Sequence, residues 1–310
     1  MTKRRVIVLT DISTLYSTQG EPDDTQSLIR FLLYTNELDV EGLIATYTSH
    51  GHAVHPEYIH AVLDAYGQVE ENLRRHDPAY PAQEALHAVV RAGNPVCGLD
   101  QLGPGHDTEG SEWIISVVDR ADDRPVWVLL WGGPLDLAQA VWKVCHTRSA
   151  EEAARFKARL RVYAIADQYD GSGPWLRQNH PDIFYITSVA TFRGMYRGGE
   201  TQLLTPSWVR GNICEGHGAL GGIYPVYEGG DPWGRVSGIK EGDTPSFLYL
   251  VDPGHGDPED PEAGNWGGRF IRKGRQFFDL PDPQQARDSV AIWRSEFQND
   301  FQRRMDWCME

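Results

Sequence analysis

VWVLLWGGPLDLA, residues 126–138, is the stretch whose reading decides the fold. Six consecutive apolar residues, Val126 to Trp131, suit a strand covered on both faces, as strands of parallel sheets are. A glycine pair then turns the chain, and Pro134 stands where a first helical position tolerates it. Leu137, Ala138, Val141, Trp142 and Cys145 follow as the apolar stripe of a sheet-packing helix over 134–147. Similar strand-like runs occur at 5–10, 40–48, 160–167 and 182–188, with helical periodicity at 24–36, 56–67, 81–92, 109–120 and 150–159. The alternation predicts an α/β fold, a three-layer doubly wound sheet that is mainly parallel. From about 190 to 270 the chain becomes rich in Gly, Trp, Asp and Pro, which reads as a loop-rich functional region. Residues 284–306 read as a closing helix, and the whole of 1–310 is expected to form a single domain.

The composition narrows the function classes. With 40% apolar and 24% charged residues among 310, the chain can bury a sizeable core, which excludes a disordered or fibrous protein. The longest apolar stretches, 126–131 and 247–251, are far below the roughly 20 residues that cross a bilayer, and the opening MTKRR runs straight into a strand pattern. A cytoplasmic location without membrane insertion is expected. A formal charge of −15 repels phosphate backbones and anionic lipid, so neither nucleic acid nor a membrane surface is an expected partner. The same charge attracts a divalent cation. Cys97, Cys145, Cys214 and Cys308 are scattered without zinc spacing and read as reduced thiols.

Acidic residues gather at the expected strand ends. Asp11 closes the first strand, and Glu21-Pro22-Asp23-Asp24 opens the first helix. In open α/β sheets the ligand crevice lies outside the carboxyl ends of the strands, so these acids belong to the default site. Helix capping accounts for one or two of them. Four acids together repel one another unless a cation or shared protons neutralise them, and an all-oxygen donor set suits Ca²⁺ or Mg²⁺. The segment 166–170, ADQYD, ends another strand. Asp243 precedes the apolar run 244–251 and reads equally as a cap or as a metal ligand.

These residues carry a resemblance. EPDDTQSLIRFLLY (21–34), EGSEWII (109–115), EGDTPSFLYL (241–250), NWGGR (265–269) and FQNDF (297–301) resemble the nucleoside hydrolase superfamily. Within it they are most similar to the uncharacterised nucleoside hydrolase-like family sometimes labelled cellulose-binding. The superfamily's motifs read D-x-D-P-G-x-D-D, G-P-L-T-N-L-A and H-D-P, and the similarity spans about residues 5 to 307. It implies a metal-dependent hydrolase, a nucleoside N-ribohydrolase-like enzyme that cleaves a glycosidic bond, N-ribosyl or related, through a Ca²⁺-bound water. The implied partner is a small nucleoside or glycoside, and a homo-oligomer fits the resemblance. Residue by residue it implies that Asp24 and Asp243 are calcium ligands and that Asp23 touches the ion or the sugar hydroxyls. The carbonyl of Leu135 would complete the protein ligands, and Asp11 matches the first Asp of the opening motif.

Two departures bear on the chemistry. Asp11 stands twelve residues before Asp23 where the superfamily has six, so Asp11 and Glu21 are both candidates for the carboxylate that binds the ion and acts as base. Gly242 replaces the late motif's His, the usual leaving-group acid, and His255 is a candidate substitute, although its reading as a solvated loop residue carries about twice the weight. Cleavage through an oxocarbenium-like state needs an activated water, negative charge near the ring and help for the leaving group. Asp167 and Gln168 have the range to bind sugar hydroxyls, while Asn265 and Trp266 offer a contact for a base or second sugar unless Trp266 only packs on the core. The principal alternative is a carbohydrate-binding protein that keeps the fold without turnover. A phosphoesterase is a further rival, and it would want Arg or Lys aimed into the crevice, which the acidic motifs do not supply.

Overall fold

The computed structural model describes residues 2–16, 22–169, 171–228, 236–251 and 253–309. Its strands are β1 (Arg4–Thr10), β2 (Leu38–Ala45), β3 (Val90–Ala92), β4 (Val126–Leu130), β5 (Leu160–Ile165), β6 (Phe184–Ser188), β7 (Phe270–Lys273) and β8 (Gln276–Asp279). They form one sheet in the order β3-β2-β1-β4-β5-β6-β8-β7, parallel throughout except where β7 meets β8. The helices in chain order are α1 (Asp23–Leu32), α2 (Pro56–Gly67), α3 (Glu70–His76), α4 (Gln83–His87), α5 (Glu109–Val118), α6 (Leu135–Thr147), α7 (Ala150–Ala158) and α8 (Ser172–Asn179). After them come α9 (Pro206–Val209), α10 (Gly218–Ile223), α11 (Thr244–Val251), α12 (Pro283–Ala291) and α13 (Arg294–Asp306).

The two-residue period of a strand explains the layers. In β1, Val6 and Val8 enter one core while Ile7 and Leu9 enter the other, and β4 divides Trp127 and Leu129 from Val126, Val128 and Leu130 in the same way. Helices α1, α2, α11 and α13 cover the first face, and α5 to α8 cover the second. The architecture is therefore the expected three-layer, mainly parallel α/β sheet. Among the described residues no helix is long and apolar enough to cross a membrane.

Three elements depart from the sequence reading. The expected helix over 81–92 stops at α4, because Val90 leaves it to pair with Leu43 at the sheet edge. The loop-rich stretch 190–270 does contain 3₁₀ turns and short helices, but also α11, whose eight residues are all buried. The closing segment divides into α12 and α13 around Ile292 and Trp293.

What positions a site is the strand order. β1 pairs with β2 on one side and with β4 on the other, so the chain reverses its direction of winding at β1. The loops that leave the carboxyl ends of β1, β2, β4 and β5 there open a crevice, the default ligand position of such sheets.

Candidate active site

Asp11 follows β1 directly, and Asp23 and Asp24 form the first turn of α1, all three buried. Asp243 is buried in the turn before α11. Three separate stretches of chain thus bring four aspartates to the wall of one cavity of about 400 Å³, together with Ser13, His50 and Gln168. The backbone is fitted closely round it: a Cβ on Gly132 would stand 2.7 Å from the Asp11 Cβ and 2.6 Å from Thr46 Oγ1, so the turn after β4 needs a glycine. Strain collects at the same rim. Among the described residues, the non-glycine positions with positive φ are His52, Ala166, Asp167, Tyr169 and Glu241, all on loops leaving β2 and β5 or leading to α11. Such conformations persist where surrounding structure enforces them, and they are enriched at functional sites.

The carboxylates are only partly answered. Asp24 Oδ1 accepts from the Thr10 hydroxyl at 2.5 Å, Asp11 Oδ2 accepts from the Tyr169 hydroxyl, and Asp23 Oδ2 lies 3.4 Å from Lys240 Nζ. Asp11 Oδ1 and Asp243 Oδ2 are buried without a hydrogen-bond partner. Burial, reinforced by mutual repulsion at three of them, holds Asp23, Asp24 and Asp243 well above the usual carboxylate range. Burial also pushes Asp11 up to about 6, against the lowering pull of the Tyr169 hydrogen bond. Lys240 is lowered to about 8 by its own burial, with Asp243 and Asp11 opposing.

A hard cation suits this donor set, since all the groups are oxygens, two are orphaned and the negative charge exceeds what Lys240 supplies. The side chains are not gathered around one point: among the described residues no three His, Cys, Asp or Glu stand close enough together to grip an ion as they are. An ion would have to draw them from Thr10, Tyr169 and Lys240.

The remaining expected site residues fall in three groups. Glu21 lies outside the described residues. Gln168 lines the cavity, its amide donating to the Trp131 carbonyl at 2.5 Å. The others fall away from it. Asp167 is paired with Arg177 and accepts the Tyr185 hydroxyl at 2.5 Å, which makes it a tie between β5, β6 and α8 in place of the expected sugar contact. Asn265 is buried in a turn, donating to Tyr249 O and accepting from Gly267 N, both at 2.9 Å. Trp266 is buried against Phe297, its indole 3.3 Å from Glu296. His255 packs against Trp293 with ring centroids 4.1 Å apart and planes tilted by 40°, and lies 3.2 Å from Glu296. Leu135 is buried in the first turn of α6 and does not line the cavity.

Several lining residues escaped the sequence reading. His50 stands in the loop after β2, and Arg193 and Arg197 in the segment after β6. With Lys240 these arginines place cations in the crevice wall, from outside the acidic motifs. His50 carried no signal beyond its distance from a predicted strand end. At Gly242 a Cβ would stand 3.0 Å from Asp23 Oδ2 and 3.5 Å from the Phe192 ring, so a larger residue there would press on the Asp23 carboxylate.

Residues 5–270 match the model of the cellulose-binding Sde182, nucleoside hydrolase-like domain. Among solved structures, a nucleoside hydrolase-related hypothetical protein from Saccharophagus degradans that is associated with carbohydrate metabolism is similar over the whole chain. The two share 35% identity with a TM-score of 0.83, covering 100% of this chain and 72% of that one. A plant nucleoside hydrolase aligns with 15% identity and a TM-score of 0.49, covering 94% of this chain and 99% of its own. No curated protein matches the chain.

Proposed function

The chain belongs to the cellulose-binding Sde182, nucleoside hydrolase-like family, and from the acidic cavity at its switch point we propose that it hydrolyses the glycosidic bond of a nucleoside or small glycoside with the help of a divalent cation. The observation that carries this reading is the convergence of Asp11, Asp23, Asp24 and Asp243 on one cavity with two of their buried oxygens unanswered. Asp24, Asp243 and Asp23 would hold the ion, Ca²⁺ or Mg²⁺ by ligand type, with Asp11 beside them. When bound, such an ion supplies positive charge that lowers the pKa of a water and fixes vicinal sugar hydroxyls.

The chain's own groups do the rest. Asp11, pushed up to about 6 and held in place by the Tyr169 hydroxyl, is suited to take the proton of the attacking water near neutral pH. The carboxylates provide the negative charge that an oxocarbenium-like centre needs. His50 lines the same cavity and is the group we assign to protonate the departing base or aglycone, in place of His255. Gln168 and Ser13 offer hydrogen bonds to sugar hydroxyls.

The test is a release assay over nucleosides and small glycosides, with and without calcium or chelator, comparing the parent with Asp24→Ala. Cation-dependent release that the substitution abolishes is the expected result. Turnover indifferent to both chelator and substitution would overturn the reading. Two observations favour a second reading, carbohydrate binding without turnover: Gly242 stands where the superfamily's motif has its His, and Lys240 reaches the aspartate cluster. Sugar binding by calorimetry with no release from any panel member would establish it.

A further inference from the structure

We propose that the ligand of this cavity carries an anionic group, a carboxylate or a phosphate, and that Arg193 and Arg197 seat it. This rests on the glycoside reading above and narrows its substrate class. The cavity wall holds three long cations, and they are used differently. Lys240 Nζ lies 3.4 Å from Asp23, so its charge serves the aspartates. Arg193 and Arg197 do not: among the described residues no carboxylate stands within ion-pair distance of either.

The chain is strongly acidic. It carries 44 Asp and Glu against 29 Lys and Arg, so partners are plentiful. Many of its arginines find them, Arg30 with Glu241, Arg148 with Asp119, Arg177 with Asp167 and Arg304 with Asp300 among them, and Arg4, Arg91 and Arg294, which form no ion pair among the described residues, donate to backbone carbonyls. Two half-buried arginines beside four aspartates, yet paired with none of them, are reserved for something else.

Their donors are also presented. Arg193 spends Nε on the Val189 carbonyl at 3.1 Å, and its guanidinium lies 5.1 Å from the Phe192 ring centroid. Arg197 lies 5.5 Å from the ring of Tyr196. A guanidinium held beside a ring by cation–π attraction still has N–H groups to offer a planar or tetrahedral oxyanion. Tyr196 joins the two parts of the wall, since its hydroxyl feels Arg193 and Arg197 on one side of the balance and Asp23 and Asp243 on the other. A cavity of about 400 Å³ has room for one sugar ring with a charged substituent, which would turn its hydroxyls to the acids and its oxyanion to the arginines.

The experiment is isothermal titration of the full chain in calcium buffer with two matched pairs, glucuronate against glucose and ribose 5-phosphate against ribose. We expect one anion to bind at least tenfold more tightly than its neutral partner, with the preference falling in 0.5 M salt. Arg193→Gln and Arg197→Gln, singly and together, should remove the preference while changing affinity for the neutral sugar less than twofold. The single variants guard against a double variant that does not fold, and melting temperature checks all three. The pair that shows the preference separates carboxylate from phosphate. Equal affinity within both pairs overturns the oxyanion seat and leaves the glycoside reading intact, as does a preference that survives the substitutions. Binding of none of the four sugars overturns both.

Discussion

Glu241 and Asp243 stand two residues apart, are both buried, and belong to different machines. Glu241 is fully enclosed, with Arg30 at 2.8 Å and the Tyr224 hydroxyl at 2.6 Å. Arg30 continues to Gln298 at 2.7 Å and ties α1 to α13. Asp243 has an oxygen that nothing answers and three other aspartates for neighbours. Burial is therefore not what marks a working acid; a buried charge left without its complement is. The network around Glu241 is a clamp that fixes the segment 240–243 on α1, helped by Gln26, which accepts from the backbone N–H of Lys240 and Glu241 at 2.9 and 3.1 Å. The rim around Asp243 keeps charge available that the clamp has already consumed.

The comparison breaks most visibly at the rim. Asp24→Asn removes a cation ligand without removing volume, and release should fall at least about a thousandfold, the scale on which losing a preorganised electrostatic element acts. Stability without cation should hold or rise, because one of four repelling carboxylates is gone. The clamp should answer in the opposite sense. Glu241→Gln leaves Arg30 buried and uncompensated, a loss of about 3–5 kcal/mol. Denaturant unfolding measures it, and an equal loss in Asp24→Asn would erase the distinction between the two regions.

Acidity sharpens the same contrast. The rim aspartates have folded pKa values raised above their unfolded ones, so the stability they contribute is complete below the unfolded value and is lost as pH rises through the folded value. Asp11 alone, held at about 6 rather than 3.8, corresponds to about 3 kcal/mol once it is ionised. Without divalent cation the melting temperature should therefore be highest near pH 4 and fall toward pH 7. Calcium should restore it at pH 7.5 and do little at pH 4.5, where protons already occupy the carboxylates. A melting temperature indifferent to calcium at pH 7.5 would deny the rim its cation.

The fold was legible because its signals are local and repeated. Runs such as Val126 to Trp131 and stripes such as Leu137, Ala138 and Val141 need no tertiary information. β3 was not legible, since three residues pairing at a sheet edge leave no period, nor was the hairpin of β7 and β8, each four residues long. The acids of the cavity were legible because each sits at the end of a readable strand or the start of a readable helix. Asp167 met the same rule and failed it: at φ 48° its side chain pairs with Arg177, while its neighbour Gln168 lines the cavity, a turn of the backbone that residue types do not reveal. His50, Arg193 and Arg197 lie on irregular loops, where only the folded chain says which residues meet.

The two histidines make the finest test of that lesson. His255 lies in a stretch whose composition suggested function, yet its ring packs tilted against Trp293, its Nε2 lies 3.2 Å from Glu296, and it does not line the aspartate cavity. His50 has no sequence signal and lines the cavity. If placement decides the role, His50→Ala should lower release by about a hundredfold, the lower range for a general acid, and most on substrates with poor leaving groups. A nucleoside analogue with an activated leaving group should recover much of that loss. His255→Ala should leave release within twofold and cost stability alone, about 1 kcal/mol for the lost aromatic packing. The reverse pattern would mean that the loop carrying His255 closes over the acids during the reaction, and that the division between rim and packed aromatic cluster belongs only to the resting state.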